Sequence, residues 1–534
     1  MMKKIYTTAC GTEPYDKNYG IGYKVGHSSW TPYPRVERLM KAFFAKPYDI
    51  DLQRLRLVTE AYKQHEDCSR KLQCAYAFEN VLENVDLEIY DDDLIIGEIA
   101  APGKAAPIYP EFSVKWIIDE VLHYPFEERP HDQYYMRSDE DRRELVELCK
   151  YWEGKTVCDY VDSRLDEAQR IGSQSGEKIF QTNLYHYAGV GHYTIDYVRL
   201  MKLGYPGIIQ EVDEAYARLT KKDPEYDEKR DEYEASLMML KASQKYLLRY
   251  ADLAEKKARA EDDTKRKGEL KTIAENCRQI SAGTPQTFWQ ALQLFSVATS
   301  LLQIESNGHS LSYGRMDQWL YPFYEADMKN GTITKDFAQE LLEVQYVRLN
   351  NPTKLKDRGT IVVRNGRNWG GECLTIGGVD RAGNDVTNDL TFMFLEASVH
   401  TRMERPWLLV RMHEKTPYEL KVKTVECIRA GYGHPKLFND KSAIPSMMRK
   451  GCSLEEARDY AVVGCVELAV PGKEYGWHDA AYINTAKMLE MVINGGCTLD
   501  GKRLAACSLT KTLMRSWRAS INSLTIGWIR CAAP

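Results

Sequence analysis

The stretch Asp459-Tyr460-Ala461-Val462-Val463-Gly464-Cys465-Val466-Glu467 runs an apolar segment into a glycine and then sets a thiol and a carboxylate two residues apart. In an extended backbone, residues i and i+2 point the same way, which predicts Cys465 and Glu467 on one face of a strand tip. That pairing is a nucleophile or radical carrier beside an acid/base group. Taken alone, a cysteine behind a strand is more often core packing, whereas an unpaired carboxylate is costly to bury. Downstream, Pro471 to Ala481 is rich in turn residues, and Asp479 precedes a helical pattern from Asn484 to Leu489, so it is either a helix cap or a site carboxylate. Upstream, Glu305-Ser306-Asn307-Gly308-His309-Ser310 crowds polar and small residues behind an apolar run, as caps or as a pocket lining do. A fourth stretch, Gly189 to Tyr197, places His192 in a glycine-flanked loop.

These residues need a scaffold, and the pattern predicts one. From Arg35 to about Leu87 the spacing indicates two or three helices, and Asp91 to Gly97 reads as a turn into a short buried strand. Ala101 to Pro110 reads as a loop. Between Glu211 and Ile280, Tyr233, Leu237, Leu240, Leu247, Ala251 and Ala254 recur mostly at three- and four-residue steps, which predicts a packed helical layer. Phe288 to Ile304 is almost wholly apolar or small, as in a helix buried on most sides. Strands are expected over Glu372 to Val379, Trp407 to Met412 and Ala461 to Val463, with helical patterns between them. The fold class is therefore α/β, with helices dominating the first half.

Composition narrows the function. The chain has 534 residues, 43% of them hydrophobic, enough for three ordinary domains or one large one. Its 72 basic and 77 acidic residues are interspersed and leave a net charge of −5, so there is neither a nucleic-acid stripe nor a polybasic membrane arm. A small-molecule substrate is the expectation. The N-terminal residues hold no apolar run of signal-peptide length, and no stretch approaches 18 apolar residues, which predicts a cytoplasmic location. Thirteen irregularly spaced cysteines without a C-x-x-C pair read as reduced thiols, not disulfides or zinc ligands. The glycines of residues 1–34 lack the strand-then-helix setting of a nucleotide loop, so that segment reads as an irregular arm.

Gly464-Cys465-Val466-Glu467, with Val470 to Lys473 and Gly476 to Ala481, closely resembles the cysteine loop of the glycyl radical glycerol and propanediol dehydratases, in the pyruvate formate-lyase-like superfamily. Glu305 to Ser310, Gly314 to Gln318, Gly189 to Tyr197 and Phe438 to Asp440 resemble the same family, and the resemblance runs from about Arg35 to about Leu504. It implies the first half of a ten-stranded α/β barrel beneath an extensive N-terminal helical layer. It also implies a chemistry in which a glycyl radical near the C-terminus takes hydrogen from a cysteine and the thiyl radical then attacks substrate. By that resemblance Cys465 is the radical cysteine and Glu467 the acid/base group on the substrate hydroxyl. His192 protonates the departing hydroxyl, and His309, Ser310 and Asp479 hold polyol hydroxyls. The implied partners are a small hydroxylated substrate, a radical S-adenosylmethionine activase and a second copy of the chain, with no bound cofactor or metal.

Three departures qualify the resemblance. Gly464 stands where pyruvate formate-lyase has a second adjacent cysteine, which argues against acyl transfer, so a formate acetyltransferase label would rest on the family name alone. Leu468 replaces a proline of the dehydratases, and Asn368 to Cys373 differs from their version, which leaves other diols and hydroxy or amino acids open as substrates. No Arg-Val-x-Gly-Tyr glycine motif occurs in the chain. From Gly501 to Pro534 there is no acidic residue, while Lys502, Arg503, Lys511, Arg515, Arg518 and Arg530 are basic. A reading frame shifted by two bases across Lys511 to Trp528 permits an acidic amphipathic helix instead. Residues 505–534 are accordingly expected to be a frameshifted tail after an incomplete barrel over 35–504, and the chain alone an inactive lyase fragment. The alternatives are a non-catalytic remnant that binds a metabolite or the activase, and a thiol hydrolase pairing Cys465 with a histidine.

Overall fold

Helices account for most of the first 350 residues, and their spacing explains how they pack. The computed structural model describes residues 30–129, 132–174, 179–181, 187–360, 371–474 and 482–494. Three helices, Pro34–Ala45, Gln53–Gln64 and Arg70–Asn84, occupy the span in which two or three were expected. The longest, Tyr226–Ala260, has Asp227 and Glu228 in its first turn and Lys257 and Arg259 in its last, complementing the helix dipole at both ends. Leu237, Leu247, Ala251 and Ala254 of its predicted stripe are buried. The small alanines allow Thr264–Ala282 to fold back closely after Asp263, whose side chain caps that helix at Arg266. Arg249 donates to Leu82 O and Val85 O, filling carbonyls left open at the end of Arg70–Asn84.

Phe288–Glu305 is buried on nearly all sides, as its composition requires. It also corrects one expectation, because Leu94 to Ile96 are buried yet form no strand. The Gln293 side-chain amide accepts from Ile96 N–H at 3.0 Å and donates to Ile96 O at 2.9 Å, supplying both hydrogen bonds that a neighbouring strand would have made.

Three parallel strands form the main sheet among the described residues: β4 (Cys373–Gly377), β5 (Trp407–Met412) and β6 (Lys436–Asn439), in that order. Parallel neighbours need crossovers, and the helices Asp389–Thr401 and Tyr418–Arg429 supply them. β7 (Ala461–Val463) and β8 (Glu467–Ala469) make an antiparallel hairpin. Val462 N–H donates to Thr375 Oγ1 at 3.0 Å, tying the hairpin to β4. Beneath it lies a small core that includes Cys373, Leu409, Met447, Tyr460 and Val462. Shorter pairs join β1 (Asp49–Asp51) to β2 (Ala105–Pro107), inside the segment expected to be only loop, and β3 (Phe180–Gln181) to β9 (Tyr482–Ile483). The architecture is mixed α/β and rich in helix. Most of the expected N-terminal arm, Asn368 to Gly370, Asp479 and the tail 505–534 lie outside the described residues. Among the described residues no helix is long and apolar enough to cross a membrane.

Candidate active site around the Cys465 turn

The hairpin corrects the expected geometry at its centre. Val463 pairs with Glu467, so Gly464, Cys465 and Val466 form the turn and the thiol sits at its tip, not on a shared strand face with the carboxylate. Gly464 adopts φ +63°, and a Cβ there would lie 2.5 Å from His192 Cδ2 and 2.8 Å from Glu467 Oε2. Only glycine lets the turn close on that histidine. Its N–H donates to Ser312 Oγ at 3.2 Å, and its carbonyl accepts from the Cys373 thiol. Glu467 still reaches the site by folding back beside the turn. Its Oε2 accepts from Val466 N–H at 2.8 Å, and its Oε1 lies 3.6 Å from His192 Nε2. Cys465 itself is half-buried.

His192 is buried with φ +57°, held by its own N–H donating to His309 O at 2.9 Å. The two imidazoles meet edge to face, 4.5 Å between centroids at 89°. Glycines make this approach possible: a Cβ on Gly191 would stand 2.0 Å from His309 O, and one on Gly308 would stand 1.9 Å from Val190 O. Ser306 Oγ donates to Val190 O at 2.7 Å and accepts from Gly308 N–H at 3.0 Å, which fixes the same crossing. Ser310 is buried at φ +65°, with Gly371 against its hydroxyl. Two buried lysines hold this polar segment from behind: Lys354 Nζ donates to Ser306 O at 2.9 Å and to Gly308 O, and Lys356 Nζ donates to Asn307 O. Burial pushes the Lys354 ammonium down to about 7 and that of Lys356 well below its ordinary value.

Cys465, Glu467, His192, His309 and Ser310, expected from the sequence, thus converge, and Asp479 lies outside the described residues. Two other expected motifs serve the framework instead. Asp317 Oδ2 accepts from Gly377 N–H at 2.8 Å and from Thr391 Oγ1 at 2.7 Å, and Asp440 takes both arms of Arg411 at 2.9 Å. Sequence reasoning missed Ser312, Lys354 and Lys356. The alternation in Ser310-Leu311-Ser312 and in Lys354-Leu355-Lys356, with the leucine buried in each, was the available signal. Among the described residues no group of histidines, cysteines and carboxylates could hold a metal ion.

The family described as pyruvate formate lyase-like matches residues 29–516, wider at both ends than the span expected. This chain belongs to the pyruvate formate lyase-like family. The (2S)-3-sulfopropanediol dehydratase of Klebsiella oxytoca is 68% identical over 499 residues, covering 93% of this chain and 60% of that protein. The isethionate sulfite-lyase of Oleidesulfovibrio alaskensis is 33% identical, covering 87% of this chain and 57% of its own length. Among solved structures, the glycerol-bound B12-independent glycerol dehydratase from Clostridium butyricum superposes with a TM-score of 0.85 at 35% identity, over 90% of this chain and 60% of that one. This pyruvate formate lyase-like chain therefore spans about 60% of the length of these relatives.

Proposed function

We propose that this chain carries the thiol and acid/base half of a glycyl radical dehydratase for a small diol, with (2S)-3-sulfopropanediol the substrate favoured by its 68% identical relative. The observation that carries the reading is the Cys465 turn closed over Glu467 and His192, whose facing atoms are 3.6 Å apart. A glycyl radical, installed by a radical S-adenosylmethionine activase, supplies the hydrogen-atom acceptor for Cys465. The turn suits that exchange, because Val466 beside the thiol is 65% exposed and leaves the tip open to an arriving segment.

As a thiyl radical, Cys465 takes the hydrogen from the carbon bearing one hydroxyl, which leaves a carbon radical and a restored thiol. Glu467 takes that hydroxyl's proton. The neighbouring C–O bond breaks while His192 donates a proton, so the second hydroxyl leaves as water. The resulting carbonyl-stabilised radical recovers its hydrogen atom from Cys465. Glu467 has then gained one proton and His192 has lost one. A small side-chain movement closes the gap between them to hydrogen-bond range and resets both. His309, Ser310 and Asp479 hold the substrate hydroxyls, and β4 to β7 belong to the first half of a ten-stranded barrel.

The radical glycine must come from sequence other than these 534 residues, since no Arg-Val-x-Gly-Tyr motif occurs among them. Two anaerobic experiments test the proposal. With activase alone, this chain should give no glycyl electron paramagnetic resonance signal. The longer open reading frame, recovered by resequencing the locus beyond codon 495, should give that signal and dehydrate (2S)-3-sulfopropanediol. Cys465→Ala should then keep the signal and lose turnover, and turnover persisting in that variant would overturn the reading.

A further inference from the structure

The Ser312 hydroxyl touches three separate parts of the site. It accepts from Gly464 N–H at 3.2 Å and from Cys373 N–H at 3.1 Å, and it donates to Ser310 O at 3.1 Å, with Gly371 O at 3.4 Å. A hydroxyl offers one donor and two acceptor sites, so this one is fully committed, and its residue is buried. Cys373 closes the other side of the same glycine, its thiol donating to Gly464 O. Both polar groups of Gly464 are therefore held by side chains outside the hairpin, immediately before Cys465.

We propose that Ser312 and Cys373 are positioning residues that clamp the Gly464 peptide from both sides and so hold Cys465 in register with Ser310 and His309. Neither touches substrate in this reading. The inference rests on Cys465 being the reacting thiol. A left-handed glycine has wide backbone freedom, and without the clamp its peptide could rotate and swing the next side chain. Ser312 couples this to the His309-Ser310 segment because its one proton goes to Ser310 O. Burial pushes the Cys373 thiol well above its ordinary value, which keeps it protonated and able to donate. The hydrogen bond from Cys373 N–H to Ser312 Oγ joins the two arms at the first residue of β4.

Alkylation of the full chain tests the clamp without any radical chemistry. The reduced protein is treated with iodoacetamide across a pH series, and labelling of Cys465 is followed by mass spectrometry on the tryptic peptide that ends at Lys473. Cys277 and Cys427, both fully buried, report global unfolding. Losing one buried hydrogen bond corresponds to about a five- to tenfold change in the population of the displaced turn. Ser312→Ala and Cys373→Ala should each raise the Cys465 rate by about that factor and alter its pH profile, with Cys277 and Cys427 still unlabelled. Cys373→Ser restores a donor and should return the rate to that of the unaltered chain. Unchanged rates in both alanine variants, or a serine variant that behaves like the alanine one, would overturn the clamp. If Ser312→Ala labels Cys277 and is therefore unfolded, the Cys373 pair decides. A clamp that holds while the longer open reading frame, carrying its glycyl radical, fails to dehydrate the diol would instead count against the functional reading, so the two failures are distinguishable.

Discussion

At Gly464, backbone conformation and crowding by neighbouring side chains act on the same atom. A side chain at φ +63° is strained in itself, and its Cβ would also meet the His192 ring and the Glu467 carboxylate. Gly464→Ala is expected to destabilise the fold by about 1–3 kcal/mol in urea unfolding, with a disproportionate loss of turnover because Cys465 is displaced. Glu467→Gln probes the opposite case, since it keeps the shape and removes the proposed base. Turnover in the full enzyme should fall by roughly 10²–10⁴ while the unfolding midpoint stays put, and an unchanged rate would remove Glu467 from the proton path. Lys354 adds a pH dependence. Its folded value of about 7 lies below the ordinary 10.5, so between those values the unfolded chain holds a proton that the folded chain lacks. Stability from this group is thus complete above 10.5, falls as pH drops, and is gone below about 7. A neutral amine has two N–H groups, matching the two carbonyls of Ser306 and Gly308. Lys354→Met should be less stable than the unaltered chain at pH 9, with the gap narrowing toward pH 7 in urea titrations. Cys465, Glu467, His192 and His309 were legible because thiol, carboxylate and imidazole announce their chemistry. Ser312, Lys354 and Lys356 act through backbone carbonyls and amides, and residue type says nothing about which backbone a side chain will meet.

The element that matters most is the hairpin, and Arg411 of β5 fixes its root. This guanidinium is fully buried, pairs with both oxygens of Asp440 at 2.9 Å, and donates to Tyr460 O and Arg458 O at the same distance. It lies 3.9 Å over the Tyr460 ring, whose hydroxyl donates to Asp440 at 2.7 Å. Removing one partner of a buried pair leaves an uncompensated charge, so Asp440→Ala should cost about 3–5 kcal/mol. Hydrogen exchange should rise first across 459–470, ahead of the long helices. Uniform exchange would show that Arg411 supports the whole sheet and not the hairpin in particular. Long helices such as Tyr226–Ala260 were legible because a 3.6-residue period repeats over many turns. The Leu94 to Ile96 segment misled because a buried apolar run satisfies a strand pattern, while its hydrogen-bond partner is a side chain nearly 200 residues away. The tight Cys465 turn was hidden for a related reason. Alternation predicts an extended chain until a glycine at positive φ reverses it, and only the packing against His192 shows that this glycine does so.

Across the whole molecule, the open edge of the main sheet raises the main physical problem. β6 ends the order β4-β5-β6 and has no partner on its outer side among the described residues, and Leu437 in it is 54% exposed. Unpaired N–H and C=O groups beside an exposed leucine form a template for pairing with another chain. The helical layer, by contrast, buries its apolar stripes internally, so association should begin at the sheet. Purified alone, the 534-residue chain is expected to scatter light and to elute as oligomers in a concentration-dependent way. Leu437→Lys places a charge on that edge and should increase the monomer fraction without shifting the unfolding midpoint, because the side chain already faces solvent. A matched charge at Val198, which is 63% exposed on the helix Tyr197–Arg218 and so outside any strand, should leave the monomer fraction unchanged. If both substitutions act alike, net charge and not edge pairing governs association. If the unaltered chain is already monodisperse, the β6 edge does not drive association, and a remnant that binds a metabolite without turning it over becomes the reading to pursue.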